Sequence, residues 1–337
     1  MSAEVIVAHA PGRVNLIGDH TDYAEGLVLP MAIDLGTTVT GRREGDRVVL
    51  ASGTEPEAAI VDLDVADPAA ASPAWARYVA GVVAELRPGT GLTGTVATTL
   101  PVGAGLSSSA ALEVAVALAL GFDGEPLALA QLAQAAEQRA SGVPCGIMDQ
   151  LASAAGVAGA ALLIDCRSLD VTPVPLPDDV EVRVVHSGQE RQLAGSEYAE
   201  RRAAVEAAAA RLGPLRDHDD PGVADRLDDP VLQRRARHVI AENARVRSVV
   251  RSLAAGDLDA VGAAMAASHA SLRDDFEVST PVLDALVERL VATPGVIGAR
   301  LTGAGFGGCV VALTRPGALD EGWLVRPAAG ASVTVGG

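Results

Sequence analysis

The run Gly12-Arg13-Val14-Asn15-Leu16-Ile17-Gly18-Asp19-His20-Thr21-Asp22-Tyr23 gathers a guanidinium, carboxylates, an imidazole and hydroxyls into one strand-to-loop segment. Carboxylates and neutral nitrogens that converge in this way suit the hydroxyls of a sugar, which donate and accept together. His20 alone would be an ordinary surface histidine, and it gains a ligand role from its company. A second run, Pro101-Val102-Gly103-Ala104-Gly105-Leu106-Ser107-Ser108-Ser109, separates a strand-like segment from an Ala-rich one. Its glycines allow close backbone approach, free amides at a helix start attract phosphate, and its serines can donate hydrogen bonds or hold a metal. The segment is equally compatible with a plain turn and cap. A dinucleotide fingerprint fits less well, because the third glycine is missing.

The later loop Thr302-Gly303-Ala304-Gly305-Phe306-Gly307-Gly308 leads into strand-like Cys309 to Leu313, where a dinucleotide fold needs a helix. By itself it favours a bulge or a close backbone crossing. Cys145-Gly146-Ile147-Met148-Asp149-Gln150 opens a short helix over Leu151 to Ala155, closed by Gly156. An aspartate at a helix start is ordinarily a cap or a dipole partner, so Asp149 acquires a chemical role only from its neighbourhood.

Alternation and β-branched residues predict strands over Val5 to Val14, Gly36 to Ala51 and Leu92 to Leu100. Ala110 to Leu120 and Leu127 to Ala140 read as helices. The Pro-rich, acidic stretch Pro173 to Asp179 marks a boundary between lobes 1–175 and 176–337. Beyond it, Ser196 to Leu212 reads as a helix capped by serine with Gly213 after its end, and Asp229-Pro230 and Thr280-Pro281 place cap and first-turn proline in the preferred order. The aspartate-rich segment Asp217 to Asp229 reads as a solvated loop rather than a metal site.

At 337 residues and 49% hydrophobic, the chain can bury a sizeable core in two lobes. Its cysteines are three, Cys145, Cys166 and Cys309, with no metal-ligand spacing, and no leader precedes the first motif. A cytoplasmic protein is expected, with no membrane span. A net charge of -17 disfavours nucleic acid and anionic lipid. Every one of the 26 basic residues is arginine. Without lysine, P-loop nucleotidases, protein kinases and pyridoxal enzymes are excluded, and a phosphate-transferring enzyme must use another architecture.

These segments resemble the galactokinases, within the larger group of small-metabolite kinases that includes homoserine, mevalonate and phosphomevalonate kinases. The resemblance runs from about Ala10 to about Leu313. Gly12 to Tyr23 is similar to the galactokinase signature, Pro101 to Ala111 to the family's phosphate loop, and Leu301 to Cys309 to its third motif. Gly146 to Gln150, Ser196-Glu197-Tyr198 and Arg201-Arg202 are also similar to galactokinase segments.

The resemblance implies an α+β fold of two lobes with the site in the cleft between them, and ATP-dependent phosphorylation of the anomeric hydroxyl of galactose with Mg2+. It implies Asp149 as the proton acceptor and Arg13 beside it as the charge partner. Asp19, His20, Asp22, Gly146 and Tyr198 fall on sugar-holding positions. Gly103, Ala104, Gly105, Leu106, Ser107 and Ser108 match the phosphate loop, Ser109 and Glu137 the magnesium ligands, and Trp75 and Tyr78 the segment beside the adenine. A loose phosphoryl-transfer transition state asks mainly for alignment and charge compensation, which a helix start, Mg2+ and an arginine supply without lysine.

The signature normally has glutamate where Asp19 stands, and asparagine is commoner at Ala24. The chain also begins later than usual, and Val311 to Leu324 is too short for the helix expected between the last strands. The change at Asp19 leaves open a sibling kinase for an amino, deoxy or C6-modified galactose. A non-catalytic galactose and ATP sensor is the rival from another class, and it is disfavoured by the unbroken phosphate loop and by Asp149. The expected partners are a small sugar and ATP, with a monomer slightly favoured.

Overall fold

The computed structural model describes residues 4–101, 103–189 and 194–336. The chain runs through β1 (Val5–Asn15), β2 (Leu27–Val28), β3 (Pro30–Arg43), β4 (Arg47–Ser52), β5 (Ala59–Asp62), α1 (Ala76–Leu86) and β6 (Leu92–Thr98). It continues through α2 (Ser108–Ala119), α3 (Pro126–Ser141), α4 (Met148–Ala155), β7 (Ala160–Asp165) and β8 (Val171–Pro175). The second half holds β9 (Glu181–His186), α5 (Ala194–Leu212), α6 (Pro230–Ala255), α7 (Leu258–Asp274), α8 (Pro281–Val291), β10 (Val296–Thr302), β11 (Cys309–Thr314), β12 (Trp323–Val325) and β13 (Ser332–Gly336).

The segment expected as one strand over Gly36 to Ala51 is two strands. Gly45 takes a left-handed turn at φ 74° between β3 and β4, and β6 then inserts between them to give the sheet order β13-β1-β3-β6-β4-β5. Alternation alone cannot register a short reversal of this kind, over residues 44–46. One core forms where this sheet meets α1, α2, α3 and α4, through residues such as Val39, Leu50, Val79, Val114 and Leu151. In the second half, β10-β11-β9-β12 form a sheet that packs with α5, α6 and α8 around Phe276, Leu283 and Val310. A third cluster, including Val14, Leu29, Leu106, Val246 and Val311, joins residues from both halves.

The Pro-rich stretch 173–179 covers the end of β8 and most of the connection to β9, yet β13 returns from the chain end to pair antiparallel with β1. Segment 315–322, between β11 and β12, contains turns and no helix. Asp229 caps α6 through the amides of Val231 and Leu232, and Thr280 caps α8 through Leu283. Helix α5 begins before Ser196, and the side chain expected to cap it lies outside the described residues, as does Val102 of the phosphate run. No helix among the described residues is long and apolar enough to cross a membrane.

Candidate active site

Strand β1 delivers Arg13 through an irregularity. Its register with β3 shifts between Pro11 and Arg13, and a Cβ on Gly12 would lie 2.6 Å from the Leu106 carbonyl oxygen. The glycine therefore lets the phosphate loop press onto the strand, and the bulge aims the next side chain at that loop. Arg13 donates through Nε and Nη2 to Asp149 Oδ1 and Oδ2, each at 2.6 Å, and through Nη1 to the Gly105 carbonyl at 2.8 Å. The N-cap of α4 is Ile147, not Asp149. Asp149 sits in the first turn, where the partial positive charge of the helix start adds to that of Arg13.

The phosphate loop contributes mainly backbone. Ala104 and Leu106 are buried in the core, and Gly103 and Gly105 adopt left-handed conformations at φ 73° and 74°. Ser107 is also left-handed and donates its hydroxyl to Asp149 Oδ2, so it serves the carboxylate from within the loop. Ser108 begins α2, whose first amides are free to meet an anion.

A cavity of about 370 Å³ opens over Arg13 and Asp149 and is also lined by Asp19, His20, Asp22, Gly146 and Tyr198. A neighbouring cavity of about 280 Å³ is lined by Trp75, Ser108, Ser109 and Thr37, and Tyr78 lines both. The residues expected for the sugar and the adenine, with Ser108 of the phosphate loop, thus surround two spaces that share Tyr78, whereas Gly103 to Ser107 line neither. Glu137, from α3, faces the first cavity and accepts from Ser109 Oγ at 2.9 Å.

Individual side chains are committed in ways the motif does not reveal. Asp19 accepts from the Gly303 amide at 2.8 Å through Oδ1 and from Arg300 through Oδ2, and it is 1% exposed. His20, itself at φ 65°, donates from Nε2 to the Ala304 carbonyl and accepts at Nδ1 from the Tyr23 hydroxyl. Burial pushes it down to about 4, which keeps it neutral. Both residues therefore tie the signature loop to the third motif while forming cavity wall. Asp22 faces the cavity together with Asp149 and Glu137. Its Oδ2 lies so close to Gly146 that a Cβ there would fall 1.8 Å away. Burial first, and the charge of Asp149 second, push Asp22 up to about 7.

Sequence reasoning missed Arg300, which is fully buried on β10 and donates to the Leu16 carbonyl as well as to Asp19. The available signal was a guanidinium inside an otherwise apolar strand, since buried charges are paired. It also gave no role to Cys145, which lines the cavity but whose thiol is pushed up by burial and so carries no thiolate.

Ser109 and Glu137 supply a hydroxyl and a carboxylate, the hard oxygen donors Mg2+ takes. Among the described residues no group of three or more His, Cys, Asp or Glu forms a cage for a metal. A cation here would share its shell with substrate phosphates and water, as Mg2+ usually does. Burial, and after it Asp149, push Glu137 up to about 7, a penalty on its charge that a cation offsets. The pair fits Mg2+.

Residues 1–43 match the galactokinase galactose-binding signature, residues 77–157 the GHMP kinases N-terminal domain and residues 249–324 the GHMP kinases C-terminal domain. A galactokinase of Chloroflexus aurantiacus is 45% identical, with 95% of this chain and 88% of that protein covered. The chain belongs to the galactokinases. Another galactokinase, from Chloroflexus aggregans, is also 45% identical, over 94% of this chain and 85% of its own. The galactokinase fold is likewise matched by the crystal structure of Lactococcus lactis galactokinase complexed with galactose, at TM-score 0.90, 32% identity and coverage of 97% and 95%. A mevalonate kinase at 19% identity and TM-score 0.67 shares the fold, as expected of the wider group.

Proposed function

We propose that this galactokinase transfers the terminal phosphoryl group of ATP to the anomeric hydroxyl of galactose with Asp149 as proton acceptor and Arg13 as its charge partner. The observation that carries these roles is the doubly hydrogen-bonded Arg13–Asp149 pair at the floor of the larger cavity. Asp149 Oδ2 already accepts from Arg13 and Ser107, whereas among the described residues Oδ1 accepts only from Arg13. A carboxylate oxygen has room for two donors, so Oδ1 is the place for the sugar hydroxyl. Its side chain remains 30% exposed, enough for a substrate to reach it.

A guanidinium and a serine hydroxyl hold the carboxylate in place. It orients the hydroxyl along the line of attack and takes the proton as the new oxygen–phosphorus bond forms, while the oxygen on the departing side leaves with ADP. Asp22, Gly146 and Tyr198 hold the sugar's other hydroxyls. The amides at the start of α2 receive the phosphates, and Trp75 and Tyr78 flank the base of the nucleotide. When bound through Ser109 and Glu137, Mg2+ supplies charge neutralisation for the phosphates.

A cytoplasmic location, suggested by the sparse cysteines, belongs to the same proposal. A coupled assay of ADP release over a panel of free sugars, with and without Mg2+, tests it. Turnover should be highest with galactose and should require the metal. Equal turnover in chelator, or no turnover with galactose, would overturn it.

A further inference from the structure

Behind the Ser109–Glu137 pair lies a polar chain that the chemistry above does not use. Gln150 follows Asp149 on α4, is fully buried, and donates from Nε2 to Glu137 Oε2 at 2.5 Å. Its Oε1 receives no hydrogen bond. Glu113 stands one turn beyond Ser109 on α2 and is fully buried, and apart from a loose approach of the Gln150 amide its carboxyl oxygens have no hydrogen-bond partner among the described residues. Buried polar atoms are nearly always paired, so three idle acceptor atoms in one dry place call for a reason.

Chemistry allows one consistent arrangement. The Glu137 carboxylate takes only donors, which fixes the amide nitrogen of Gln150 toward it, and the other ionisable neighbour of that amide is the Glu113 carboxyl. The amide oxygen of Gln150 only accepts, so for Glu113 to satisfy it the carboxyl must carry the hydrogen. Burial, and after it the charge of Glu137, push Glu113 well above the usual carboxyl range, in keeping with that hydrogen.

We infer that Gln150 is a positioning residue, oriented by Glu113, that locks the carboxylate of Glu137 to the helix carrying Asp149. The link ties the proton acceptor and the metal-facing carboxylate into one rigid unit across α2, α3 and α4. It rests on the assignment of Glu137 to Mg2+ made above. Neighbours that orient a metal-holding group typically change metal affinity or activity by about 10- to 100-fold when removed.

The test uses Gln150→Met, which keeps volume and removes both polar atoms, with Glu113→Gln and Glu113→Leu. The readouts are the Mg2+ dependence of binding of a non-hydrolysable ATP analogue by calorimetry, the Mg2+ concentration for half-maximal rate, and galactose affinity without nucleotide. Gln150→Met should raise the Mg2+ requirement in both metal measurements roughly tenfold or more and leave galactose affinity within about threefold. Glu113→Gln should behave like the wild type, because its amide can supply the same hydrogen to Gln150 Oε1, whereas Glu113→Leu should reproduce the metal defect. If Gln150→Met fails to fold, the contrast between the two Glu113 variants decides. A normal Mg2+ requirement in folded Gln150→Met, or equal behaviour of Glu113→Gln and Glu113→Leu, overturns the inference. Glu137→Gln separates the two levels. If it raises the Mg2+ requirement while Gln150→Met does not, the inference alone fails, and if it too is silent, the metal assignment fails.

Discussion

Arg13 and Asp149 are joined by two parallel hydrogen bonds of 2.6 Å, and the remaining Arg13 nitrogen grips the carbonyl of Gly105 in the phosphate loop. One guanidinium thus sets the distance between the proton acceptor and the loop that receives the phosphates. Asp149→Asn keeps the shape and removes the acceptor. Turnover should fall about 100- to 10,000-fold in the coupled assay, with galactose binding by calorimetry retained. Near-normal turnover in the folded variant would remove Asp149 from the chemistry.

Glu137→Gln keeps a neutral oxygen beside Ser109 but takes away the charge. The Mg2+ concentration for half-maximal rate should rise, and excess metal should restore part of the activity, because the nucleotide supplies the other ligands. Galactose affinity measured without nucleotide should change little. A superimposable Mg2+ titration would show that Glu137 does not hold the metal.

Gly146 has no room for a side chain, since its Cβ would sit 1.8 Å from Asp22 Oδ2. Gly146→Ala should therefore push Asp22 aside and weaken galactose binding by roughly tenfold or more, the loss expected from one hydrogen bond to a charged group. Nucleotide binding should be spared. Calorimetric titration with each ligand separates the two, and unchanged galactose affinity would contradict the placement.

Asp22 supplies a pH signature. Pushed up to about 7 by burial and by Asp149, it keeps its proton in the folded protein over a range where the unfolded chain has lost it. The native state binds more protons there, so this contribution to stability is full below the unfolded value near 4 and is lost as pH rises to about 7. Asp22→Asn lacks the effect. The Tm of the wild type minus that of Asp22→Asn should drop between pH 4 and 7 and level off above, and a rising difference would refute the assignment.

Asp19 forms cavity wall, but its two carboxylate oxygens are engaged by Arg300 and the Gly303 amide. A glutamate there would extend the carboxylate by about 1.5 Å, one carbon–carbon bond. The ratio of kcat/KM for galactose over 6-deoxygalactose should be modest in the wild type and rise roughly tenfold in Asp19→Glu, the worth of one hydrogen bond to a charged group. Equal ratios would remove this position from recognition at C6. Asp19→Asn should instead lower stability by roughly 3–5 kcal/mol, because it leaves Arg300 buried without its partner.

Much of this was written in the chain. The absence of lysine, the glycine-serine run before an Ala-rich segment, and the cluster from Arg13 to Tyr23 are local features, and local features survive the reading of one dimension. Helix caps at Asp229 and Thr280 were legible for the same reason, since a cap and its amides lie within a few residues. The reversal at Gly45 and the return of β13 onto β1 were not, because strand order is decided by pairings between distant segments. Within the site, the sequence placed Asp19 and His20 among sugar ligands but could not say where their atoms point. Packing decided that: β10 and the loop after it bring Arg300 and Ala304 to the signature loop, and buried polar atoms are nearly always paired. The link from Gln150 to Glu137 has the same origin, for it joins residues on separate helices that only the folded core brings within 2.5 Å.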